Sequence, residues 1–249
     1  MFVKTKHLKN LVTRTTYENP KWRHYTINAL QKDDHKRKLI KLFLKNADLG
    51  IDDIKTDVKP VTKVNLPPDF PDELKNYLIK SNAETFDIKT IHLAKNDDGS
   101  VEKVYFDLED DESQGTIKMF ELFGPFIDIL INGYTLVMDE LDTRLHPLLT
   151  QFLVKLFQDP SINKSCAQLI FTTHDTNLLN LKYFRRDQIW FTEKNHELGF
   201  TDLYSLHDIN PRKDENIEKG YLAGRYGAVP FLGTENLFDL EGEIHNLVE

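Results

Sequence analysis

Tyr134-Thr-Leu-Val-Met-Asp139-Glu140 and, further along the chain, Leu169-Ile-Phe-Thr-Thr-His174-Asp175 decide the fold class. Each is a short apolar run ending in polar or charged residues. A buried parallel strand delivers side chains in this way to the carboxyl edge of an open α/β sheet, where ligands bind. Two acids at one strand tip and a histidine at the next are the residue types of a magnesium-nucleotide hydrolysis site. A strand-end acid holds magnesium through water, and the following acid orients the attacking water. A histidine there can donate a hydrogen bond to a terminal phosphate. The plainer reading makes Asp139 and Glu140 a solvated loop entrance and His174 a capping or packed side chain. The glycine loop that cradles phosphate is absent, since none of the 11 glycines is followed by Lys-Ser or Lys-Thr.

The 249 residues suffice for one large domain or two modest ones. With 40% hydrophobic and 29% charged residues, the composition is that of a globular protein. No apolar run approaches the roughly 20 residues needed to cross a bilayer, so no membrane association is expected. Met1-Phe-Val-Lys-Thr-Lys lacks the apolar core of a secretory signal. The single cysteine, Cys166, cannot form an internal disulfide, which fits a cytoplasmic location. Residues 1–45 hold 12 Lys/Arg against 3 Asp/Glu, a balance of +9, and the remainder carries −17. A basic arm on an acidic body can touch nucleic acid. The plainer alternative is a helical face whose charges pair with the acidic remainder.

The first sixty residues read mainly as helix, with Ile40, Phe43 and Leu44 at helical spacing between Lys32 and Asn46. Pro60 to Pro71 reads as an irregular connection, followed by a short helix from Asp72 to Lys80. Residues 84–109 alternate apolar and polar around the turn Asn96-Asp-Asp-Gly99, a hairpin pattern. A long apolar helix is expected from Gly115 to Ile131, kinked or split at Gly124-Pro125. Strand 134–138, helix 147–158, strand 167–172, a short helix near 176–181 and strand 188–192 follow. This alternation predicts a largely parallel sheet covered by helices. A turn at Asn195-His-Glu-Leu-Gly199, a strand at 200–206, a Gly/Tyr/Pro-rich stretch 220–234 and an acidic tail complete the chain.

Glu112-Ser113-Gln114-Gly115-Thr116 precedes the long helix. A serine and a glycine at a helix start expose backbone N–H groups and a positive dipole end, which suits phosphate. The plainer reading is an ordinary N-cap by Ser113 or Thr116. His146 is expected to cap the helix begun by Pro147, and Arg225 and Tyr226 to serve a tight turn. Phe and Leu of helices 116–131 and 147–158 are expected to form core.

Taken in order, these elements resemble the C-terminal half of an ABC-type ATPase. Ser113-Gln-Gly115 looks like its signature motif, Asp139-Glu140 like Walker B, Asp142 like the D-loop acid and His174 like the switch histidine. More narrowly, four stretches resemble a family of prokaryotic AAA/ABC-type ATP-binding proteins. They are Asp139-Glu-Leu-Asp-Thr-Arg-Leu-His146-Pro147, Gln168-Leu-Ile-Phe-Thr-Thr-His174-Asp175, Arg186-Asp-Gln-Ile-Trp-Phe-Thr-Glu193-Lys194 and Glu218-Lys-Gly-Tyr-Leu-Ala-Gly224-Arg-Tyr-Gly227-Ala-Val-Pro230. That family occurs in restriction and abortive-infection loci and is related to overcoming-lysogenization and SMC-like ATPases. The resemblance is close over residues 110–235 and looser before them. Glu112 and Gln114 depart from the leading leucine and double glycine of ABC transporters.

The resemblance implies an incomplete P-loop NTPase-like, mostly parallel sheet with flanking helices, divided into four parts. These are a mainly helical, basic region 1–83, a β-hairpin 84–110, an ATPase lobe 111–235 and an acidic tail 236–249. It implies a family member that begins after its nucleotide-binding lobe. ATP and Mg2+ would then bind only with a polypeptide carrying the Walker A loop, in a homo- or hetero-oligomer. Asp139 would hold the metal, Glu140 and His174 would be catalytic, and Ser113, Gly115 and Asp142 would touch nucleotide. A nuclease or toxin effector is the implied partner. Two other classes remain open: a non-catalytic scaffold that keeps the sheet, and a metal-dependent nuclease using Asp139, Glu140, Asp142 and His174 or His146.

Overall fold

The computed structural model of the chain describes residues 11–14, 20–62, 71–81, 83–195, 198–212 and 214–230. It separates into two compact units, Met1–His174 and Asp175–Glu249. This boundary falls inside the span 111–235 that the sequence groups as one lobe. The acidic tail 236–249, most of the connection between Pro60 and Pro71, part of the 195–199 turn and the first residues of the basic arm lie outside the described residues. Among the described residues, no helix is long and apolar enough to cross a membrane.

The first unit runs β1 (Leu11–Arg14), α1 (Pro20–Lys32), α2 (Asp34–Asn46), β2 (Ile51–Pro60), α3 (Asp72–Lys80), β3 (Glu84–Lys95), β4 (Val101–Asp107), α4 (Gln114–Asn132), β5 (Thr135–Met138), α5 (Pro147–Gln158) and β6 (Gln168–Phe171). β5 lies between β1 and β6, parallel to both, with Met138 opposite Arg14 and Phe171. Leu136 and Met138 are buried on one face of β5.

α4 is apolar on most sides, with Met119, Phe120, Phe123, Phe126, Ile127 and Leu130 all buried. A helix of that kind must be enclosed. Phe123 stacks on Phe43 of α2 at 5.7 Å between ring centroids, and Phe126 meets Trp22 of α1 edge-on at 6.5 Å and Phe157 of α5 at 5.6 Å.

The helix is not split at Gly124-Pro125, and α4 runs through it. Pro125 has no N–H and leaves the carbonyl of Glu121 without its helical donor. The fully buried hydroxyl of Thr26 in α1 supplies that donor, 3.1 Å from Glu121 O, and its oxygen lies 3.2 Å from Gly124 N. Gly124 permits the approach, because a Cβ there would stand 2.4 Å from Thr26 Oγ1 and 2.7 Å from Thr26 Cα. The dipeptide that reads as a helix breaker is the seat of a helix crossing.

Region 1–83 holds three helices, and it also holds two strands, β1 and β2, that the sequence does not signal. β2 pairs antiparallel with β3, and β3 with β4, making a three-stranded sheet. Ile54, Thr56 and Val58 turn to its less exposed side and Lys55, Asp57 and Lys59 to solvent. That is strand alternation, and a long partner in β3 decides it. Basic residues of α1 and α2 pair with acids. Lys36 lies 2.8 Å from Asp128 and Lys41 2.5 Å from Asp53, and Arg23 bridges Glu109 and Glu121. Burial opposes the charge of Lys36, but hydrogen bonds with Asp128 and Tyr25 outweigh it and hold its pKa above the usual lysine range.

The second unit contains short 3-10 turns at Thr176–Leu178 and Arg186–Gln188, β7 (Trp190–Lys194), β8 (Thr201–Ser205), α6 (Leu206–Ile209) and α7 (Ile217–Leu222). The sequence places a strand at 188–192 in the parallel sheet. β7 instead pairs antiparallel with β8 in a sheet of its own. Asn195 and Gly199 join them by a tight reversal, with Asn195 N–H bonded to Phe200 O at 2.9 Å, and such a hairpin needs no crossover. Ile189, Phe191, Leu206, Ile217 and Tyr226 form its core. Tyr226 is therefore a packing residue, and Arg225 pairs with Glu215 at 3.1 Å.

Gly124→Ala should lower stability by about 1–3 kcal/mol through overpacking against Thr26, read by urea denaturation of the whole chain. Thr26→Val, which leaves Glu121 O without a donor, should cost about the same. Wild-type stability in both variants would refute this account of the crossing.

Candidate functional site

The site begins where β5 and β6 end. The ladder continues one step past both strands, for Thr172 N–H donates to Met138 O and Leu141 N–H donates to Thr172 O, each at 3.0 Å. Parallel register makes Asp139 and Thr172 cross-strand neighbours. The Thr172 hydroxyl donates to Asp139 Oδ1 and accepts the Glu140 N–H at 2.8 Å. One threonine thus fixes both acids.

Glu140 has φ of 47°, in the left-handed region. This costs a β-carbon-bearing residue on the order of 1 kcal/mol or more and persists only where surrounding bonds impose it. Its Oε2 accepts from the Thr143 hydroxyl at 3.1 Å, and its Oε1 lies 3.8 Å from His174 Nε2. The His174 side chain is 85% exposed and that of Glu140 40%. Such an exposed pair contributes little to stability, so its position is open to a ligand. Asp142 Oδ1 accepts the His174 N–H at 3.3 Å. Asp139, Glu140, Asp142 and His174 therefore meet at one rim.

The start of α4 abuts the same turn. Ser113 caps the helix, its Oγ accepting the Thr116 N–H at 3.1 Å. A Cβ on Gly115 would stand 3.0 Å from Arg144 O, and Arg144 donates to Gln114 Oε1 at 2.9 Å. Lys118, one turn further, donates to Leu141 O at 3.3 Å and to Thr143 O. Glu112 accepts from the Thr90 hydroxyl and lies 2.7 Å from His92 Nε2, with its side chain 8% exposed. A carboxylate where transporters have leucine thus ties the helix start to β3. His146 caps α5, its Nδ1 accepting the Leu148 N–H at 3.2 Å.

Carboxylate oxygens at a strand tip are the hard donors magnesium prefers, so Asp139 and Glu140 suit the metal of a magnesium nucleotide. No glycine loop with its lysine is present in this sequence. Among the described residues, no three or more His, Cys, Asp and Glu side chains are gathered to hold a metal.

Thr172, Thr143 and Lys118 escape sequence reasoning because their partners lie 32, 3 and 23 or more residues away and are backbone groups or strand-tip acids. The one available signal was a lysine between Ile117 and Met119 in an apolar helix. Burial draws its pKa down to about 8, against the opposing pull of Asp142. The unfolded chain keeps this lysine protonated up to its ordinary value of 10.5. Between about 8 and 10.5 the unfolded state therefore holds more protons, and stability gains as pH rises. Wild type should gain stability relative to Lys118→Met across that window in urea titrations at stepped pH. A difference that does not vary with pH would contradict the burial of a charge at this position.

Comparison with known families gives a match. The family described as "AAA domain, putative AbiEii toxin, Type IV TA system" aligns with residues 10–180, more than half of the chain. Comparisons with curated proteins and with solved structures found no match. The matched span contains α4, both strand tips and every candidate residue from Ser113 to His174, and the chain belongs to this AAA-domain family.

Proposed function

We propose that the chain carries half of a composite ATPase site of the ABC type and acts on magnesium ATP only with a polypeptide that supplies a phosphate loop. The observation that carries this reading is the meeting of Asp139, Glu140 and His174 at the carboxyl ends of two adjacent parallel strands. Family membership supports nucleotide chemistry. Magnesium ATP supplies the reacting phosphorus and the cation that offsets its charge. Asp139, steadied by Thr172, would hold the metal. Glu140, which reaches solvent, would polarise the attacking water. His174 would donate to the terminal phosphate and register its loss. Ser113 and Gly115, at the N-terminal end of α4, offer backbone N–H groups to a second nucleotide across an oligomer interface. Asp142 supports the rim through His174 N–H.

The toxin–antitoxin wording of the family description supports a toxin effector as partner and a role in defence; a nuclease effector rests on the resemblance alone. A non-catalytic scaffold that keeps the sheet is the second reading; the presence of Asp139, Glu140 and His174 together argues against it, since a decayed site has no reason to keep all three.

Two measurements test the proposal, and the second separates it from the scaffold. Labelled ATP titrated with magnesium should bind the isolated chain more weakly than the micromolar range, because phosphate loops make most of the phosphate contacts. Micromolar affinity would contradict the need for a partner loop. In the assembled complex, Glu140→Gln should lower turnover by about 10²-fold or more and leave assembly intact. Unchanged turnover would remove Glu140 from catalysis, and assembly indifferent to ATP would favour the scaffold.

A further inference from the structure

We propose that Lys118 is a positioning residue that locks the acid-bearing turn to the start of α4, so that a ligand held at Ser113–Gly115 is felt at Glu140. The proposal rests on the composite-site reading of both places. Lys118 is 8% exposed and stands one helical turn after Gly115. Its two acceptors, Leu141 O and Thr143 O, bracket Asp142 in the turn that follows Glu140. An ammonium has three donors and no acceptor, so it can clip alternate carbonyls of one turn to a helix.

An apolar side chain would fill this space without burying a charge. A lysine drawn to about pH 8 by burial carries a cost that packing alone does not require. The parallel link from Arg144 to Gln114 is exposed and contributes less than a buried, charge-assisted bond. Lys118 therefore supplies a buried, charge-assisted connection between the two edges. The charged groups around it are Glu140, Asp142 and Arg144 on the turn and Glu121 on its own helix. Across the adjoining cavity of about 700 Å³ stand Lys21, Arg23, His24 and Glu109.

Hydrogen exchange of the ligand-free chain reads this link without nucleotide or partner. In Lys118→Met, the amides of Leu141, Thr143 and Leu145, bonded to Thr172, Glu140 and Asp142, should exchange roughly ten- to a hundredfold faster. Residues 123–130 of α4 should keep their protection. Ser113→Ala should speed exchange in the same turn in the wild-type background and add nothing in the Lys118→Met background. Unchanged exchange in Lys118→Met, or additive effects of the two changes, would overturn the proposal. If Lys118→Met fails to fold, the wild type still decides. Its Leu141 and Thr143 amide shifts should titrate with the midpoint of the Lys118 side chain, and shifts that do not follow that side chain would overturn it. A loosened turn in a protein whose complex never hydrolyses ATP would keep the Lys118 link and discard the composite site.

Discussion

The Thr172 hydroxyl, shared between the Asp139 carboxylate and the Glu140 N–H, is the interaction on which the site depends. It exists because β5 and β6 run parallel with Met138 opposite Phe171, so that their next residues face each other across the ladder. A shift of one residue would turn every side chain of the strand to the other face and separate the acids from their anchor. The left-handed turn at Glu140 follows from the same bonds. The Thr172 hydroxyl and carbonyl receive the N–H groups of Glu140 and Leu141, and the chain must bend tightly to deliver both.

α4 transmits that arrangement to the rest of the first unit. Its middle is enclosed by α1, α2 and α5 through Trp22, Phe43 and Phe157. Its start is tied on one side to β3 by Glu112 and on the other to the 141–144 turn by Lys118 and Gln114. The helix crossing at Thr26 and Gly124 keeps α4 unbroken through Pro125, so burial of its central phenylalanines also fixes the position of Ser113. Packing deep in the unit and chemistry at the rim are thereby one mechanical problem.

Much of this was legible where local pattern and partner agree. The apolar runs ending at Asp139 and His174, the Asn96–Gly99 reversal and Pro147 at the head of α5 all signal their elements directly. β2 was not legible, because its five charged residues mask the alternation of Ile54, Thr56 and Val58 until β3 is present to pair with it. Pro125 misled for the opposite reason, since its local meaning is overridden by a hydroxyl 95 residues or more away in sequence. The acids and the histidine could be read as a set. Thr172 and Lys118 could not, because a threonine after an apolar run and a lysine in a helix gain their roles only from backbone groups of a distant turn.

The claim that Asp139, Glu140 and His174 form the metal-nucleotide side of one pocket is tested most directly by paramagnetic broadening. Amide spectra of the whole chain would be followed during titration with Mn2+ in the presence of ATP, where weak occupancy suffices. Broadening should centre on residues 139–142 and 172–174 and be lost in Asp139→Asn. Broadening centred elsewhere, or unchanged in that variant, would contradict the claim.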